Sequence, residues 1–116
     1  MQSVRIYTGD DGQSHFEELD WPFDSSQGPQ STKTQAALGA EFMYQPPGFV
    51  IDWHPAPRRQ YVITLQGQAE IVLGDGTSKV FGPGDVLLAE DVTGRGHFTR
   101  IVGEEARVSV RISLPG

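Results

Sequence analysis

Glycine and proline interrupt this sequence so often that no long helix fits between them. The chain has 14 glycines and 8 prolines among 116 residues, and both residue types break regular structure. The short runs between them are rich in β-branched and aromatic residues, which favour strands. Short strands separated by frequent turn residues are typical of an antiparallel sandwich or barrel. The sequence therefore predicts one all-β domain over residues 1–116, a length that suits a single domain.

Ten runs are predicted to be strands. The last one alternates cleanly, with Val108, Val110 and Ile112 on one face and the polar residues between them on the other. Asp75-Gly76 is a strong hairpin signal because both residues tolerate positive φ. An up-and-down barrel, a jelly roll and a sandwich all fit this number of strands. The predicted strands are Val4–Thr8, His15–Leu19, Ala37–Tyr44, Phe49–His54, Gln60–Gln66, Gln68–Leu73, Lys79–Phe81, Val86–Ala89, His97–Val102 and Ala106–Leu114.

Between the second and third predicted strands, residues 24–34 are polar and rich in Ser, Gln and Gly. Polar segments of this length with no periodicity run over the surface as loops. We expect a mobile loop here, which is either a dispensable connector or a lid over a pocket.

The charge balance argues against nucleic acid and membrane surfaces as partners. Acidic residues number 15 against 9 basic ones, a formal net charge of −6, and an acidic domain is repelled by phosphate backbones and anionic lipid. The chain has no cysteine, so disulfides and thiolate metal sites are excluded. The segment Met1–Arg5 lacks the apolar stretch of a signal peptide. Cytoplasmic localisation is the expectation that follows.

The segment from Gly48 to Gly67 resembles the first cupin motif. That motif runs Gly, five residues, His, one residue, His, three residues, Glu, six residues, Gly. Here five residues separate Gly48 from His54, and six separate Gln60 from Gly67. Ala56 stands at the second His position and Gln60 at the Glu position. The spacing is kept, while two of the three ligand positions are changed.

A second cupin motif is present in altered form further along the chain. Residues Gly82-Pro83-Gly84-Asp85 open it, Glu90 replaces its Pro, His97 arrives two residues late and no Asn follows. Together the two motifs cover residues 48–101, about half of the chain. The resemblance is to small, functionally uncharacterised cupins. It implies a double-stranded β-helix, or jelly-roll, barrel.

The resemblance also implies where a site lies. Side chains alternate across a strand, so His54 and Ala56 share a face, and in cupins that face is the barrel interior. His54, Gln60 and His97 are the candidate metal ligands, for a divalent Zn, Ni, Fe or Mn ion. Ala56 supplies no ligand and an amide replaces the carboxylate, so a metal-free site is an equal expectation. His15 is either a third imidazole or a surface histidine.

Two classes of function remain open, and no catalytic residue is assigned. The first is a binding module that holds a small polar or anionic molecule through His54, Arg58, Gln60 and His97. Arg58 shares parity with Gln60, and its planar guanidinium suits a carboxylate or phosphate. The alternative is a metal-dependent cupin enzyme, dioxygenase-like or isomerase-like. The resemblance further implies a homodimer formed through edge strands.

Overall fold

The computed structural model describes residues 1–116, which form two β-sheets and no helix. All ten predicted strands are confirmed, each end within two residues of its predicted place. No helix is long and apolar enough to cross a membrane. The strands are β1 (Ser3–Thr8), β2 (Ser14–Glu18), β3 (Gly39–Gln45), β4 (Val50–His54), β5 (Gln60–Gln66), β6 (Gln68–Val72), β7 (Ser78–Phe81), β8 (Val86–Glu90), β9 (His97–Val102) and β10 (Arg107–Ser113).

The chain passes repeatedly between the two sheets. A six-stranded sheet has the order β2-β1-β8-β5-β10-β3, and a four-stranded sheet has the order β4-β9-β6-β7. All pairs are antiparallel except β1 with β8. The strands β3, β4, β5 and β6 fall alternately in the first and second sheet. Each of β3 and β4 lies at one edge of its sheet. This connectivity brings residues that are distant in sequence onto facing walls.

An apolar core fills part of the space between the sheets. Phe81 and Ile6 are 1% and 0% exposed, and Phe16 packs against the same cluster. Burying side chains of this size contributes about 2–3 kcal/mol each. The cluster comprises Val4, Ile6, Ala56, Val62, Ile71, Leu73, Phe81, Leu87 and Ala89. Five of its members, Ala56, Val62, Ile71, Leu87 and Ala89, also line a cavity between the sheets.

The last strand turns its polar side inward. Arg107 and Ser109 of β10 are 4% and 1% exposed. Ser109 lies opposite Thr64 of β5, which is also buried. By alternation the apolar residues Val108 and Val110 face outward, where they remain partly exposed. The predicted alternation of β10 is confirmed, and its polar face points into the barrel.

The segment between β2 and β3 lies against the outer face of the six-stranded sheet. Trp21 donates its indole N–H to Ser3 Oγ at 2.7 Å, and Tyr61 donates its hydroxyl to Gln35 at 3.0 Å. Residues 24–34 are exposed and form no strand. Lys33 and its neighbours line a groove on the outside of the sheet. The loop thus borders this outer groove and lies away from the barrel interior, and its mobility stays a prediction.

Candidate functional site

A cavity of about 290 Å³ lies between the two sheets. One wall comes from β4, β6 and β9, and the facing wall from β3, β5, β8 and β10. Its polar lining consists of Gln45, His54, Gln60, His97, Thr99, Arg107 and Arg111. The structure thus brings His54, Gln60 and His97 together, although 43 positions separate the first from the last.

His97 begins β9 and is held by a buried carboxylate. Its Nδ1 donates to Oδ2 of Asp91 at 2.6 Å, and the Ser14 hydroxyl donates to the same oxygen at 2.7 Å. Asp91 is 0% exposed, and its other oxygen has no partner. A carboxylate behind an imidazole fixes both the tautomer and the ring orientation. The Nε2 atom of His97 is thereby left for whatever occupies the cavity.

His54 ends β4 beside His97. Its Nδ1 donates to the carbonyl of Asp52 at 2.8 Å, and the two imidazole centroids are 5.1 Å apart. Gly96 makes this approach possible: its φ is +78°, and a Cβ there would collide with the backbone of His54 and Pro55. The turn before β9 therefore requires glycine. Both histidines present an unpaired Nε2 on the same wall.

The facing wall carries two arginines from β10. The Arg107 guanidinium donates to Thr64 Oγ1 at 3.1 Å and to Gln45 Oε1 at 3.3 Å, both neutral groups. No carboxylate pairs with it. Burial, with a smaller contribution from the charge of Arg111, lowers the pKa of Arg107 to about 10. A pKa drop of this size corresponds to about 3 kcal/mol of penalty on the charged form.

Arg111 is partly buried at the same wall. It makes one ion pair with Glu41 of β3, at 3.7 Å. Burial lowers its pKa, and repulsion from Arg58 adds to this, while Glu41 works in the opposite direction. The Nε atoms of Arg107 and Arg111 are both buried without a hydrogen-bond partner. This wall is therefore electropositive and rich in unused donors.

Three solved structures resemble this one. The cupin domain of Cnp3 from Schizosaccharomyces pombe has a TM-score of 0.54 and 16% identity, covering 88% of this chain and 73% of its own. A protein from Klebsiella pneumoniae with a double-stranded β-helix domain has a TM-score of 0.53 and 20% identity, covering 84% and 92%. This chain has the cupin fold. A conserved protein from Streptococcus pyogenes has a TM-score of 0.51 and 19% identity, covering 72% and 69%. No family model and no curated protein matches the sequence.

Arg58 lies outside the cupin cavity. It is exposed, and its side-chain hydrogen bond is to Ser113 Oγ at 3.5 Å. The expectation that it points inward assumes regular strand geometry from residue 58 onward. Residues 55–59 instead form an irregular bend, and β5 begins at Gln60. The alternation of side chains along β5 therefore does not extend back from Gln60 to Arg58. The inward-facing arginines come from β10.

His15 and two large aromatic side chains also lie away from the cavity. His15 of β2 contacts Asp11 at 3.0 Å on the surface, so it supplies no third imidazole. Tyr44 is 68% exposed on the outer face of β3. Trp53 packs beneath the guanidinium of Arg95. These placements confirm the surface interpretation of His15 and leave the cavity to the residues described above.

The donor set of this cavity does not fit a tightly held resident metal ion. His54 and His97 have the orientation that metal-bound imidazoles show. No third His, Asp or Glu side chain joins them, because Ala56 has no donor and Asp91 lies behind His97. The guanidinium groups of Arg107 and Arg111 line the same cavity and oppose a dication. The ligand roles of His54, Gln60 and His97 toward a metal remain a prediction from the motif.

Proposed function

We propose that this cupin is a binding protein that holds a small anion inside the barrel, between the β10 arginines and the histidine pair. The observation that carries the proposal is the guanidinium of Arg107, which is buried and has no carboxylate partner. A buried charge without a counter-charge costs several kcal/mol. A bound anion offsets that cost, which gives the site a physical reason to select negative ligands.

The shape of the site supports the same proposal. A cavity of about 290 Å³ matches the lower end of small-molecule pockets. Its walls combine apolar side chains such as Ile51 and Val62 with a few convergent polar groups. Arginine suits this role because its planar fork binds oxyanions through two parallel hydrogen bonds. No covalent step and no catalytic residue is part of this proposal.

A thermal-stability screen tests the proposal. Protein purified without a histidine tag is heated at low ionic strength with organic carboxylates, inorganic phosphate, sulfate and uncharged analogues. We expect selected anions to raise Tm by an amount that grows with the logarithm of ligand concentration above Kd, and Arg107→Met to abolish the shift. Stoichiometric transition metal in the purified protein, lost in His54→Ala together with an enzymatic activity, would contradict a metal-free binding site and favour the metal-dependent alternative.

We also propose that this cupin pairs with a second copy through β3 and the outer face beside it. The outward positions of β3, β10 and β5 carry no charge. Phe42 and Tyr44 are 77% and 68% exposed. A solvated sheet face is normally polar, and apolar patches of this kind mark interaction sites. These outward residues are Ala40, Phe42, Tyr44, Tyr61, Ile63, Val108, Val110 and Ile112.

A second copy suits this surface because the surface is self-complementary. The free edge of β3 is seven residues long and contains no proline or lysine. Its one charged residue, Glu41, pairs with Arg111, so the edge has few of the usual protections against pairing. Antiparallel pairing of two β3 strands about a two-fold axis at Phe42 sets Ala40 against Tyr44 and creates no clash of charges. The outer apolar faces then continue across the junction, as an isologous dimer requires.

A further inference from the structure

Three successive inward side chains of β10 each carry a buried polar atom without a partner. These atoms are Nε of Arg107, Oγ of Ser109 and Nε of Arg111. Elsewhere in the chain only Oδ1 of Asp91 is in that state. Proteins satisfy nearly all buried polar atoms. Arg107 and Arg111 line the cavity, so a hydrogen-bonding occupant there can complete this face of β10.

The opposite wall carries unpaired hydrogen-bond acceptors, where the β10 wall carries unpaired donors. The Nδ1 atoms of His54 and His97 are both donors, to the Asp52 carbonyl and to Asp91. In the neutral imidazole the remaining Nε2 atom is then an acceptor. Neither Nε2 has a partner, and the two rings lie 5.1 Å apart between centroids. Two neighbouring acceptors cannot satisfy each other, so this wall calls for a donor from the ligand.

We infer that the ligand is a hydroxylated organic acid, with its carboxylate on Arg107 and Arg111 and its hydroxyl groups on Nε2 of His54 and His97. This inference rests on the proposed function. Facing sheets pack about 10 Å apart, so one small molecule touches both walls. Glu41 neutralises part of the charge of Arg111. The charge left on this wall suits a monoanionic carboxylate better than a dianionic phosphate.

Matched ligands separate the two halves of the site. Calorimetric titration compares gluconate with hexanoate, which has the same carbon chain and no hydroxyl, and with sorbitol, which has hydroxyls and no charge. Glycerol phosphate against glycerate tests the choice of a carboxylate. We expect gluconate to bind at least about tenfold more tightly than hexanoate, since an unpaired buried acceptor costs that much. Sorbitol should not bind, and glycerate should bind more tightly than glycerol phosphate.

Two variants locate the hydroxyl preference. His54→Phe keeps a ring of similar size and removes the acceptor, and His97→Asn keeps a donor for Asp91 and removes Nε2. Because each variant removes one of the two acceptors, each should narrow the gap between gluconate and hexanoate, by weakening gluconate and leaving hexanoate no weaker than in the wild type. Equal affinities of gluconate and hexanoate for the wild-type protein would overturn the inference while the anion site stands. Absence of binding by every anion would overturn the proposed function itself.

Discussion

Nδ1 of His97 lies 2.6 Å from Oδ2 of Asp91, a carboxylate with no exposed surface. Ser14 donates to the same oxygen, so one buried atom ties β2, β9 and the end of β8 together. Glu90, the preceding residue, points the opposite way and pairs with Arg5 and Arg59 on the outside. Adjacent residues thus serve two unrelated networks, as the alternation of side chains predicts for this pair.

Removal of the Asp91 carboxylate should destabilise the protein strongly. Asp91→Ala leaves the Ser14 hydroxyl and His97 Nδ1 buried without an acceptor, at a cost of about 3 kcal/mol in free energy of unfolding. Chemical denaturation measures this loss. Asp75→Ala, in an exposed turn, is the control and should cost less than about 1 kcal/mol. Equal losses of unfolding free energy in the two variants would show that the contacts of Asp91 with Ser14 and His97 do not stabilise the fold.

Arg107→Met should leave the unliganded protein as stable as the wild type, or more stable. The buried guanidinium lowers stability at neutral pH because burial disfavours its charged form in the folded state only. Replacement of an uncompensated buried charge by an apolar side chain of similar length is often neutral or stabilising by about 1–4 kcal/mol. Denaturation without ligand checks this. A loss of several kcal/mol would mean that Arg107 is a structural group rather than an anion receptor.

A charge-matched pair of variants separates site effects from net charge. Arg111→Met and Arg58→Met each remove one positive charge. Only Arg111 lines the cavity. We expect anion affinity to fall at least about tenfold in Arg111→Met, the loss typical of a buried charge-assisted hydrogen bond. Arg58→Met should bind almost as the wild type does. Isothermal titration measures both, and the reverse order would restore Arg58 as the anion-binding residue.

Sedimentation of two lysine variants tests the second-copy interface. Phe42→Lys places a charge in the apolar face on the free edge of β3 and should convert a dimer to monomers. Val80→Lys is the matched control, because Val80 is 43% exposed on β7, the edge of the other sheet. It should sediment as the wild type. A monomeric wild-type protein, or a dimer that survives Phe42→Lys, would show that a second copy does not cover this face.

The Glu90 network should stabilise the protein in a pH-dependent way. Burial raises the pKa of Glu90, but hydrogen bonds and charges from Arg5 and Arg59 outweigh it and hold that pKa below its ordinary value. A carboxylate with a lowered pKa stabilises the fold above its unfolded pKa, and this contribution is lost as pH falls through the folded pKa. Glu90→Gln should therefore cost about 1–2 kcal/mol at pH 7 and progressively less below about pH 4.3.

The same substitution at a more exposed ion pair is the control for Glu90. Glu70 pairs with Arg100, whose side chain is 52% exposed, so Glu70→Gln should cost less than about 1 kcal/mol at neutral pH. Urea denaturation across the acid range compares the two variants. A loss at Glu90 that is constant with pH would mean that shape, rather than charge, accounts for its effect.

Local chemistry made the strands and part of the site predictable. The turn at Asp75-Gly76 and the alternation of β10 depend on neighbouring residues alone, so the sequence predicts both. The cupin motif spacing correctly predicts that His54, Gln60 and His97 converge. These features need no knowledge of which strands become neighbours in space.

Features that depend on strand pairing were not predictable in the same way. The alternation of β10 does not say which face is inward, because that depends on the register with β3 and β5. Arg107 and Arg111 were therefore missed as cavity residues, although the polar row was visible. Asp91 was missed as the partner of His97 because the contact arises only when the turn at Gly96 closes. Arg58 was misplaced because an irregular bend breaks the parity.

The Nε–H resonances of the arginine side chains report directly on the proposed anion site. The chain has seven arginines. Of these, only Arg107 and Arg111 have a buried Nε–H without a hydrogen-bond partner, and both belong to the proposed anion site. Nitrogen–proton correlation spectra, assigned with Arg107→Met and Arg111→Met, are recorded while gluconate is added. We expect large shifts confined to those two signals. Shifts confined to Arg58 or other surface arginines, with Arg107 and Arg111 unmoved at saturation, would contradict the proposed anion site.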